Sequence, residues 1–317
     1  MSQTAAIGID MGGTNMKAGI VTESGIILRS DTIPTKAQAG KEALIDQIVG
    51  VISMYRSYAQ SSEIEISAIG IGTAGYVNRE GVIGFATDNL PGWSGTRLRE
   101  ELELRCGMPI VVDNDVNAMA MGEVWLGAGR HWDDFLCITL GTGIGGCLID
   151  QKMPYRGRTG YAGAYGHQIV QQLEGFPCTC GLSGCWEQYA SVTALKRFIS
   201  EITEPGMQSQ TPEELFARAR SGGGIELQIV ERYAQYIAIG LANLIHALNP
   251  TAIVIGGAVT QQGEFLFERI RSYVCRYTMK VYVESPELPI VPAELGDLAG
   301  MCGAVYFAMS EKAGAYK

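Results

Sequence analysis

The sequence lacks long apolar runs, an excess of basic residues and any leader at its N-terminus. No apolar stretch approaches the roughly 20 residues that cross a bilayer, so no membrane partner is expected. The 24 Lys and Arg against 33 Asp and Glu give a net charge of −9, which argues against a nucleic-acid partner bound through a basic face. Residues 1–6 run directly into a strand pattern without a signal peptide, which favours a cytoplasmic location.

The composition that is present predicts an ordinary folded protein. Its 317 residues suffice for two domains with sizeable cores, and 47% are hydrophobic while 18% are charged. An acidic chain can still bind an anionic small molecule, because backbone amides and Mg²⁺ hold phosphates without a basic surface. In a reducing compartment cysteines serve as thiols or metal ligands. Five of the eight cysteines are predicted to be small buried hydrophobes: Cys106, Cys137, Cys147, Cys275 and Cys302.

A strand, a glycine-rich turn and a returning strand open the chain. An apolar run over residues 5–10 ends in a carboxylate, and the turn at residues 11–15 lets backbone amides approach a ligand closely. We interpret this hairpin as a phosphate-binding loop whose carboxylate holds Mg²⁺ through water. A plain glycine hairpin is the alternative. The nucleotide-binding residues predicted here are Asp10, Gly12, Gly13, Thr14, Asn15 and Lys17.

The same layout recurs in the middle of the chain. Residues 135–140 predict a strand, residues 141–143 a turn and residues 144–150 a returning strand. Thr142 and Gly143 are the nucleotide-binding candidates of this turn. Two such hairpins predict a duplicated architecture, in which both halves of the chain hold a nucleoside triphosphate across a cleft.

Residues 70–75 match the pattern G-x-G-x-x-G, which is typical of dinucleotide-binding dehydrogenases. That function requires a helix that begins within the motif, so that its N-terminus faces the pyrophosphate. Residues 76–83 instead have a hairpin-like pattern, which excludes this interpretation.

Apolar spacing predicts the remaining elements. The predicted helices cover residues 41–60, 94–105, 187–202, 211–221, 225–248 and 298–312. A buried strand over residues 251–255 runs into Gly256 and Gly257. Bare backbone at these two glycines could lie against a nucleoside base, and a strand-to-helix turn is the alternative.

Asn114 and Asp115 follow a short apolar strand and precede a helix. We interpret Asp115 as a general base that takes a proton from a sugar hydroxyl. The amides of Asn114 and Asn89 can both donate to and accept from a polyol, although Asn89 alone is a weak signal. The alternative is a helix cap, because Asp and Asn are good caps.

His167, Cys178, Cys180 and Cys185 give the spacing H-x10-C-x-C-x4-C. Three thiolates and one imidazole form a closed tetrahedral set for structural Zn²⁺, which has no open position for chemistry. Reduced thiols in a loop are the alternative. A zinc ion here would fix the position of Glu187, which follows the last cysteine after Trp186.

Several of these motifs follow one another in a recognisable order. They are the first hairpin, the Asn114-Asp115 step, the glycine-rich run 141–146, and Gly166-His167 leading to the cysteines and Glu187. Together they resemble the ROK family of sugar kinases and sugar-responsive repressors, within the actin/hexokinase/Hsp70 superfamily. The resemblance spans essentially the whole chain, and its most specific part is the zinc segment.

The resemblance implies an α/β fold of two actin-like, ribonuclease H-like domains around a deep cleft. The smaller N-terminal domain would comprise residues 1–115 and 300–317, and the larger domain residues 116–299 with a zinc-binding segment over residues 162–187. Because members of the family commonly form homodimers, the resemblance also implies a homodimer.

The resemblance further implies an ATP:hexose phosphotransferase that uses Mg²⁺ and acts on a sugar hydroxyl, expected to be the 6-hydroxyl. It assigns Asp115 as the catalytic base, which takes the proton as the hydroxyl attacks the γ-phosphoryl group. It places Asn114, His167 and Glu187 at sugar-contacting positions, with one ring nitrogen of His167 for zinc and the other for sugar. Gly256 and Gly257 would lie on the adenosine side.

One position departs from the family pattern. Family kinases usually carry Glu-x-Gly-His, whereas this chain has Ala164-Tyr165-Gly166-His167. Loss of that charged acceptor would weaken sugar binding by roughly 2–3 kcal/mol if nothing replaces it. The preferred sugar is therefore expected to differ from plain glucose at the hydroxyls that a glutamate would have contacted.

Two alternative functions belong to the same family. Repressors carry a DNA-binding helix-turn-helix before the first hairpin, but only nine residues precede Asp10 here. A catalytically weak sugar-binding sensor, without a DNA-binding domain, is suggested by Ala164. The presence of Asp115 and of both hairpins favours the kinase.

Overall fold

The computed structural model describes residues 3–87, 89–202, 210–222, 224–284, 286–312 and 314. Its strands are β1 (Gln3–Met11), β2 (Asn15–Thr22), β3 (Ile27–Pro34), β4 (Ile64–Thr73), β5 (Tyr76–Val77), β6 (Ile83–Phe85), β7 (Ile110–Asn114), β8 (Phe135–Leu140), β9 (Ile144–Asp150), β10 (Met153–Pro154), β11 (Ile253–Gly256) and β12 (Ile290–Pro292). Its α-helices are α1 (Lys41–Ser61), α2 (Leu98–Cys106), α3 (Asp115–Trp125), α4 (Glu187–Ala190), α5 (Val192–Glu201), α6 (Pro212–Arg220), α7 (Gly224–Leu248), α8 (Glu264–Tyr277) and α9 (Ala299–Lys312).

Tertiary contacts divide the chain into two compact units. The first unit comprises Met1–Asp133, Ile149–Ala162 and Glu294–Lys317, and the second comprises Asp134–Leu148 and Gly163–Ala293. Within the described ranges, no helix combines the length and apolarity that a bilayer crossing requires.

The first unit is built on a five-stranded sheet with the order β3-β2-β1-β4-β7. β1 pairs antiparallel with β2 and parallel with β4, and β4 pairs parallel with β7. α1 buries an apolar stripe that includes Leu44, Ile48 and Tyr55, the spacing of one helix face. The carboxyl ends of β1, β4 and β7 therefore lie side by side at one edge of the sheet, where ligands bind in open α/β sheets.

α9 completes the core of the first unit through close backbone contacts. A Cβ at Gly70 in β4 would lie 1.7 Å from the carbonyl oxygen of Ala304, and one at Gly122 in α3 would lie 2.1 Å from that of Ala299. Only glycine allows such an approach. These contacts place α3 with the first unit, whereas the sequence-based division assigned residues 116–299 to the second domain.

The second sheet repeats the strand order of the first. Its order is β10-β9-β8-β11-β12, and β11 pairs parallel with both β8 and β12. Counted from its own first strand, each sheet has the order 3-2-1-4-5, as the duplicated hairpins predict. The core of the second unit includes Trp186, Phe198 and Tyr233, all fully buried.

Two sequence-based expectations about helices and one about a cysteine were wrong. The helix predicted over residues 187–202 is two helices, because the Ser191 hydroxyl accepts from the Ala194 amide and starts α5 anew. The helix predicted from residue 94 begins at Leu98. Cys275 is exposed, whereas the other four isolated cysteines are buried as predicted.

The hairpin-like pattern after the G-x-G-x-x-G motif is confirmed. β5 and β6 pair antiparallel directly after β4, and no helix begins between residues 70 and 75. The dinucleotide-binding interpretation is thus excluded by the structure as well.

Candidate active site

The first glycine turn connects β1 to β2 and is held by Thr35. The Gly12 amide donates to the Asn15 carbonyl oxygen at 3.0 Å, which closes the turn. The Thr35 hydroxyl donates to the Gly12 carbonyl oxygen at 2.9 Å, and the Thr35 amide donates to the Thr14 carbonyl oxygen at 2.8 Å. Thr14 and Asn15 are exposed, so their polar groups are available to a ligand.

Asp10 precedes this turn, and Lys17 lies opposite it in the β1–β2 register. Burial and the nearby negative charge of Asp115 raise the pKa of Asp10, while the positive charge of Lys17 opposes the shift. The Lys17 amine also lies 4.0 Å from the exposed Asp297 carboxylate. A divalent cation near Asp10 would favour its ionised form, because opposite charge stabilises a carboxylate.

Asn114 is the cap of α3, and Asp115 is the first residue of the helix. The Asn114 side-chain oxygen accepts from the amides of Val116 at 2.9 Å and Asn117 at 3.2 Å. The Asn114 side-chain amide donates to Asp115 Oδ1 at 2.8 Å and to the Gly75 carbonyl oxygen at 2.8 Å. The cap interpretation is therefore correct for Asn114, whose side-chain amide also orients Oδ1 of Asp115.

Asp115 is partly exposed, although its carboxyl group is surrounded mostly by protein atoms. Burial raises the pKa of its carboxyl group to about 6, and the hydrogen bonds from Val116 and Asn114 oppose this shift. The charge of Asp113 adds to the rise. A carboxylate with this pKa is ionised near neutral pH and is more basic than an ordinary aspartate, as a general base requires.

The first-unit candidates lie close together. A Cβ at Gly72 would lie 3.5 Å from both Asp10 Oδ1 and the Cα of Asp115, so the absence of a side chain there keeps the space between them open. A Cβ at Gly13 would lie 3.4 Å from the Cβ of Asn89. The predicted base, the first phosphate turn and Asn89 thus belong to one local region of the first unit.

The second glycine turn connects β8 to β9. The Gly141 amide donates to the Gly143 carbonyl oxygen at 3.0 Å, and the Thr193 hydroxyl donates to the Thr142 carbonyl oxygen at 2.7 Å. Gly257 has φ 100° and packs on the carbonyl of Leu140, where a Cβ would lie 2.2 Å away. The second unit therefore brings the turn candidates and Gly257 together.

A cavity of about 510 Å³ lies beside this second turn. The Val192 amide, at its edge, donates to the Gly141 carbonyl oxygen at 2.8 Å. The cavity is lined by Val192, Lys196, Gln210, Thr211, Pro212, Glu213, Phe216, Ala258, Val259 and Gln262. Sequence reasoning identified none of these as site residues; the only sequence signal was that two of them directly follow Gly257.

The predicted metal ligands converge in the second unit. The ligand atoms of His167, Cys178, Cys180 and Cys185 all lie within 4.8 Å of one another. The Cys180 and Cys185 sulfurs are 3.6 Å apart, and the Cys178 sulfur lies 3.7 Å from His167 Nδ1. A tetrahedral zinc site with Zn–S bonds of about 2.3 Å has edges of about 3.8 Å, so the donor set fits Zn²⁺.

Backbone packing positions both His167 and Glu187 at this cluster. Gly166 lies so close to Ile144 that a Cβ would be 2.2 Å from its carbonyl oxygen, which holds His167 against the start of β9. Trp186 is fully buried, and its indole donates to the Tyr236 carbonyl oxygen at 2.7 Å.

Glu187 connects the metal cluster to the second turn. One carboxylate oxygen lies 3.1 Å from the Cys178 sulfur and 3.8 Å from His167 Nδ1. The other oxygen accepts from the Ile144 amide at 3.4 Å, directly after Gly143. His167 Nδ1 thus points toward both the Cys178 sulfur and the Glu187 carboxylate.

A family model supplies the deciding comparison. The model described as "ROK family" matches residues 6–311. The chain belongs to the ROK family.

ROK relatives match almost the whole chain. A glucokinase of Thermotoga maritima is 36% identical over 315 residues, covering 96% of this chain and 97% of the relative. The crystal structure of a ROK family glucokinase from Streptomyces griseus in complex with glucose and AMPPNP matches with a TM-score of 0.81 and 34% identity, covering 96% of this chain and 99% of that one. A ROK hexokinase from Thermus thermophilus matches with a TM-score of 0.81 and 31% identity, covering 98% and 99%. The α/β fold of two actin-like domains is thereby confirmed.

Proposed function

We propose that this protein is an ATP-dependent hexose kinase in which Asp115 takes the proton of the sugar hydroxyl, expected to be the 6-hydroxyl. The observation that carries the proposal is the Asp115 carboxylate itself. It is partly exposed, has a pKa raised to about 6, and is oriented by a 2.8 Å bond from the Asn114 amide. The similarity to glucokinases along almost the whole chain supports the reaction class.

The remaining candidates receive roles consistent with this reaction. The turn amides of Gly13 and Gly143 donate to ATP phosphates, while the Gly12 amide closes its own turn, and Asp10 would hold Mg²⁺ through water. The 510 Å³ cavity after Gly257 holds the nucleoside. Asn89, Asn114, His167 and Glu187 contact the sugar.

Zinc has a structural role in this proposal. A closed set of three thiolates and one imidazole leaves no position for substrate, so the ion organises the segment that carries His167 and Glu187. Burial and the neighbouring thiols raise the pKa of Cys185, and a bound cation reverses that tendency by stabilising thiolates.

The test of the base is Asp115→Asn in a coupled ADP-release assay with a panel of hexoses. Asparagine keeps the shape of the side chain but cannot accept the proton, so kcat should fall by roughly 10² to 10⁴. Asp46→Asn is the matched control, because Asp46 is 72% exposed in a surface ion pair and should leave kcat unchanged. Full activity of Asp115→Asn would refute the assignment, and absence of turnover of the wild type on any sugar would favour a sensor.

The pH dependence gives a second readout of the same base. Asp115 must be ionised to accept a proton, and its pKa lies near 6. The rate is therefore expected to fall tenfold for each unit that the pH drops below about 6, and to level off above it. A rate that stays constant from pH 7 down to pH 5 would contradict an Asp115 base.

Ala164 points to a sugar other than plain glucose. It is exposed and begins the short turn Tyr165–His167, where family kinases usually have glutamate. Ala164→Glu restores a charged acceptor worth roughly 2–3 kcal/mol, so the ratio of kcat/KM for glucose to that for the preferred sugar should rise by about 30- to 150-fold. Ala164→Gln is the uncharged control, and an unchanged sugar preference in Ala164→Glu would overturn this proposal.

A further inference from the structure

A buried ion pair lies next to the Asn114-Asp115 step. Asp113, near the end of β7, has a fully buried side chain, and the Arg156 side chain is only 7% exposed. An Arg156 Nη2 group donates to Asp113 Oδ2. Arg156 follows β10 and belongs to the same unit as Asp113, 43 residues earlier in the chain.

The second oxygen of Asp113 binds the backbone and side chain of the next turn. Asp113 Oδ1 accepts from the Asn114 amide at 2.7 Å and from the Asn117 side-chain amide at 3.0 Å. Arg156 thus orients one oxygen, and the first residues of α3 are held by the other. Because both carboxylate oxygens of Asp113 are held by hydrogen bonds, the rotation of its side chain is fixed.

The connection continues from Asp113 to Asp115 through Asn114. The amide of Asn114 donates to Asp113, and the Asn114 side-chain amide donates to Asp115 Oδ1 at 2.8 Å. The order of contacts is therefore Arg156, Asp113, Asn114, Asp115. Each link is a direct hydrogen bond.

Stability alone does not account for this pair. A buried ion pair is often no more stabilising than well-packed apolar side chains of the same volume, because both charges lose their hydration. Its geometry, in contrast, is directional, since a guanidinium binds a carboxylate in a fixed plane. The pair is therefore better suited to setting an orientation than to adding free energy of folding.

We propose that Arg156 and Asp113 are positioning residues that hold the Asp115 carboxylate in the orientation and electrostatic environment of a general base. The inference rests on the proposed function, because it assigns Asp115 the same role. Neither residue touches the substrate in this account. Both act through Asn114.

The charges around Asp115 determine the sign of the expected pH effects. Asp113 from β7 faces Asp115 with a negative charge, which Arg156 balances, and Asp10 from β1 faces it from the adjacent strand. Lys17 on β2 and Asp297 lie next to Asp10. Asp113→Asn withdraws a negative charge and lowers the pKa of Asp115. Arg156 opposes the rise that burial causes in the pKa of Asp113, so its removal favours protonated Asp113 and lowers the pKa of Asp115 as well.

The experiment measures kcat, both KM values and the pH profile of Arg156→Met and Asp113→Asn. A carboxylate displaced by about 1 Å is expected to lower kcat roughly 10- to 100-fold in both variants, with KM for sugar and ATP changed less than about threefold. The acid limb of the kcat profile should move to lower pH in both variants, because each removes the negative charge of Asp113. Arg156→Lys, which keeps the charge, should recover part of the lost kcat.

Controls separate positioning from simple loss of structure. Arg97→Met makes the same substitution in an ion pair whose Arg97 side chain is 70% exposed, and it should match the wild type. Losses of kcat that merely track melting temperature, with both acid limbs unmoved, would overturn the proposal, as would wild-type kcat in both variants. If Arg156→Met does not fold, the proposal is tested by Asp113→Asn alone, whose acid limb should move to lower pH.

Asp115→Asn measured in parallel distinguishes the two claims. If that variant retains kcat, the proposed function fails. If it loses kcat while Arg156→Met and Asp113→Asn behave as the wild type, only the positioning inference fails.

Discussion

The two glycine turns have the same local design in different surroundings. In each, a threonine hydroxyl from another segment donates to a turn carbonyl: Thr35 to Gly12 at 2.9 Å and Thr193 to Thr142 at 2.7 Å. Each turn follows the first strand of its sheet in the order 3-2-1-4-5. The duplicated architecture therefore extends from the strand order to the hydrogen bond that fixes the turn.

What flanks the turns differs. The first turn is flanked by regular strands, and its threonine directly follows β3, which pairs with β2 along its length. The second turn is flanked by Glu187, whose carboxylate lies beside the cysteine cluster and accepts from Ile144. The threonine of the first turn thus comes from a paired strand, whereas the second turn also contacts an irregular segment that carries the predicted metal ligands.

Loss of the metal cluster is expected to show the largest difference between the turns. Cys180→Ser removes one of four donors and should abolish binding of one zinc equivalent, lower the melting temperature by roughly 10 °C and lower kcat/KM more than tenfold. Zinc content, calorimetry and the ADP-release assay measure these effects. Cys275→Ser, at an exposed thiol outside the cluster, is the control and should retain zinc. A zinc-loaded, fully stable Cys180→Ser protein would contradict the assignment.

Alanine substitutions at Gly143 and Gly13 should also affect the two turns differently, by a smaller amount than loss of the metal cluster. Neither Gly13 nor Gly143 has a positive φ, so alanine strains neither backbone. A Cβ at Gly143 would lie 2.7 Å from Glu187 Oε2, whereas one at Gly13 would first meet an atom at 3.4 Å. Gly143→Ala must displace Glu187 and should raise the sugar KM about tenfold, a change of roughly 1.4 kcal/mol.

The matched variant Gly13→Ala should leave the sugar KM within about twofold of the wild type, since ordinary contact distances cost little. An equal rise of the sugar KM in both variants would contradict the expected difference between the two turns. In that case displacement of Glu187 could not be the cause.

The threonine hydrogen bonds should give the smallest effect. Thr35→Val removes a partly buried hydrogen bond, and Thr193→Val removes an exposed one that water can replace. A net hydrogen bond contributes about 0.5–1.5 kcal/mol, so Thr35→Val should raise the ATP KM roughly 2- to 10-fold. Thr193→Val should change it less than about twofold, and the reverse order would show that burial does not distinguish the turns.

The sequence sufficed to locate elements whose cause is local. Strand-turn-strand patterns with glycine and threonine, the helix over residues 211–221 and the cysteine spacing all depend on residues close in the sequence. This helix begins at Pro212, and Thr211 and Glu214 form a capping box at its start. The strands, turns and helix were confirmed, and the four metal-ligand candidates do converge, because the interactions that place them act between residues close in the sequence.

What sequence reasoning missed depends on contacts between distant segments. Arg156 reaches Asp113 across 43 residues, and nothing in its neighbourhood marks it as different from a surface arginine. The break at Ser191 was missed because the apolar spacing continues through it, while the hydroxyl makes a better cap than a helix interior residue. The lining of the 510 Å³ cavity combines α5, α6 and the segment after β11, a grouping that only the fold creates.

The close packing of α9 has a consequence for how the protein is made. Glycines in β1, in β4 and at position 122 of α3 lie so close to the backbone of α9 that a Cβ atom at any of them would overlap it. These strands leave the ribosome long before α9, which begins at residue 299. At about 5–20 residues per second, the wait between α3 and α9 is roughly 10–40 s. The second unit, whose last strand is β12, is complete before the first, so the half of the chain that is synthesised first is the half that finishes folding last.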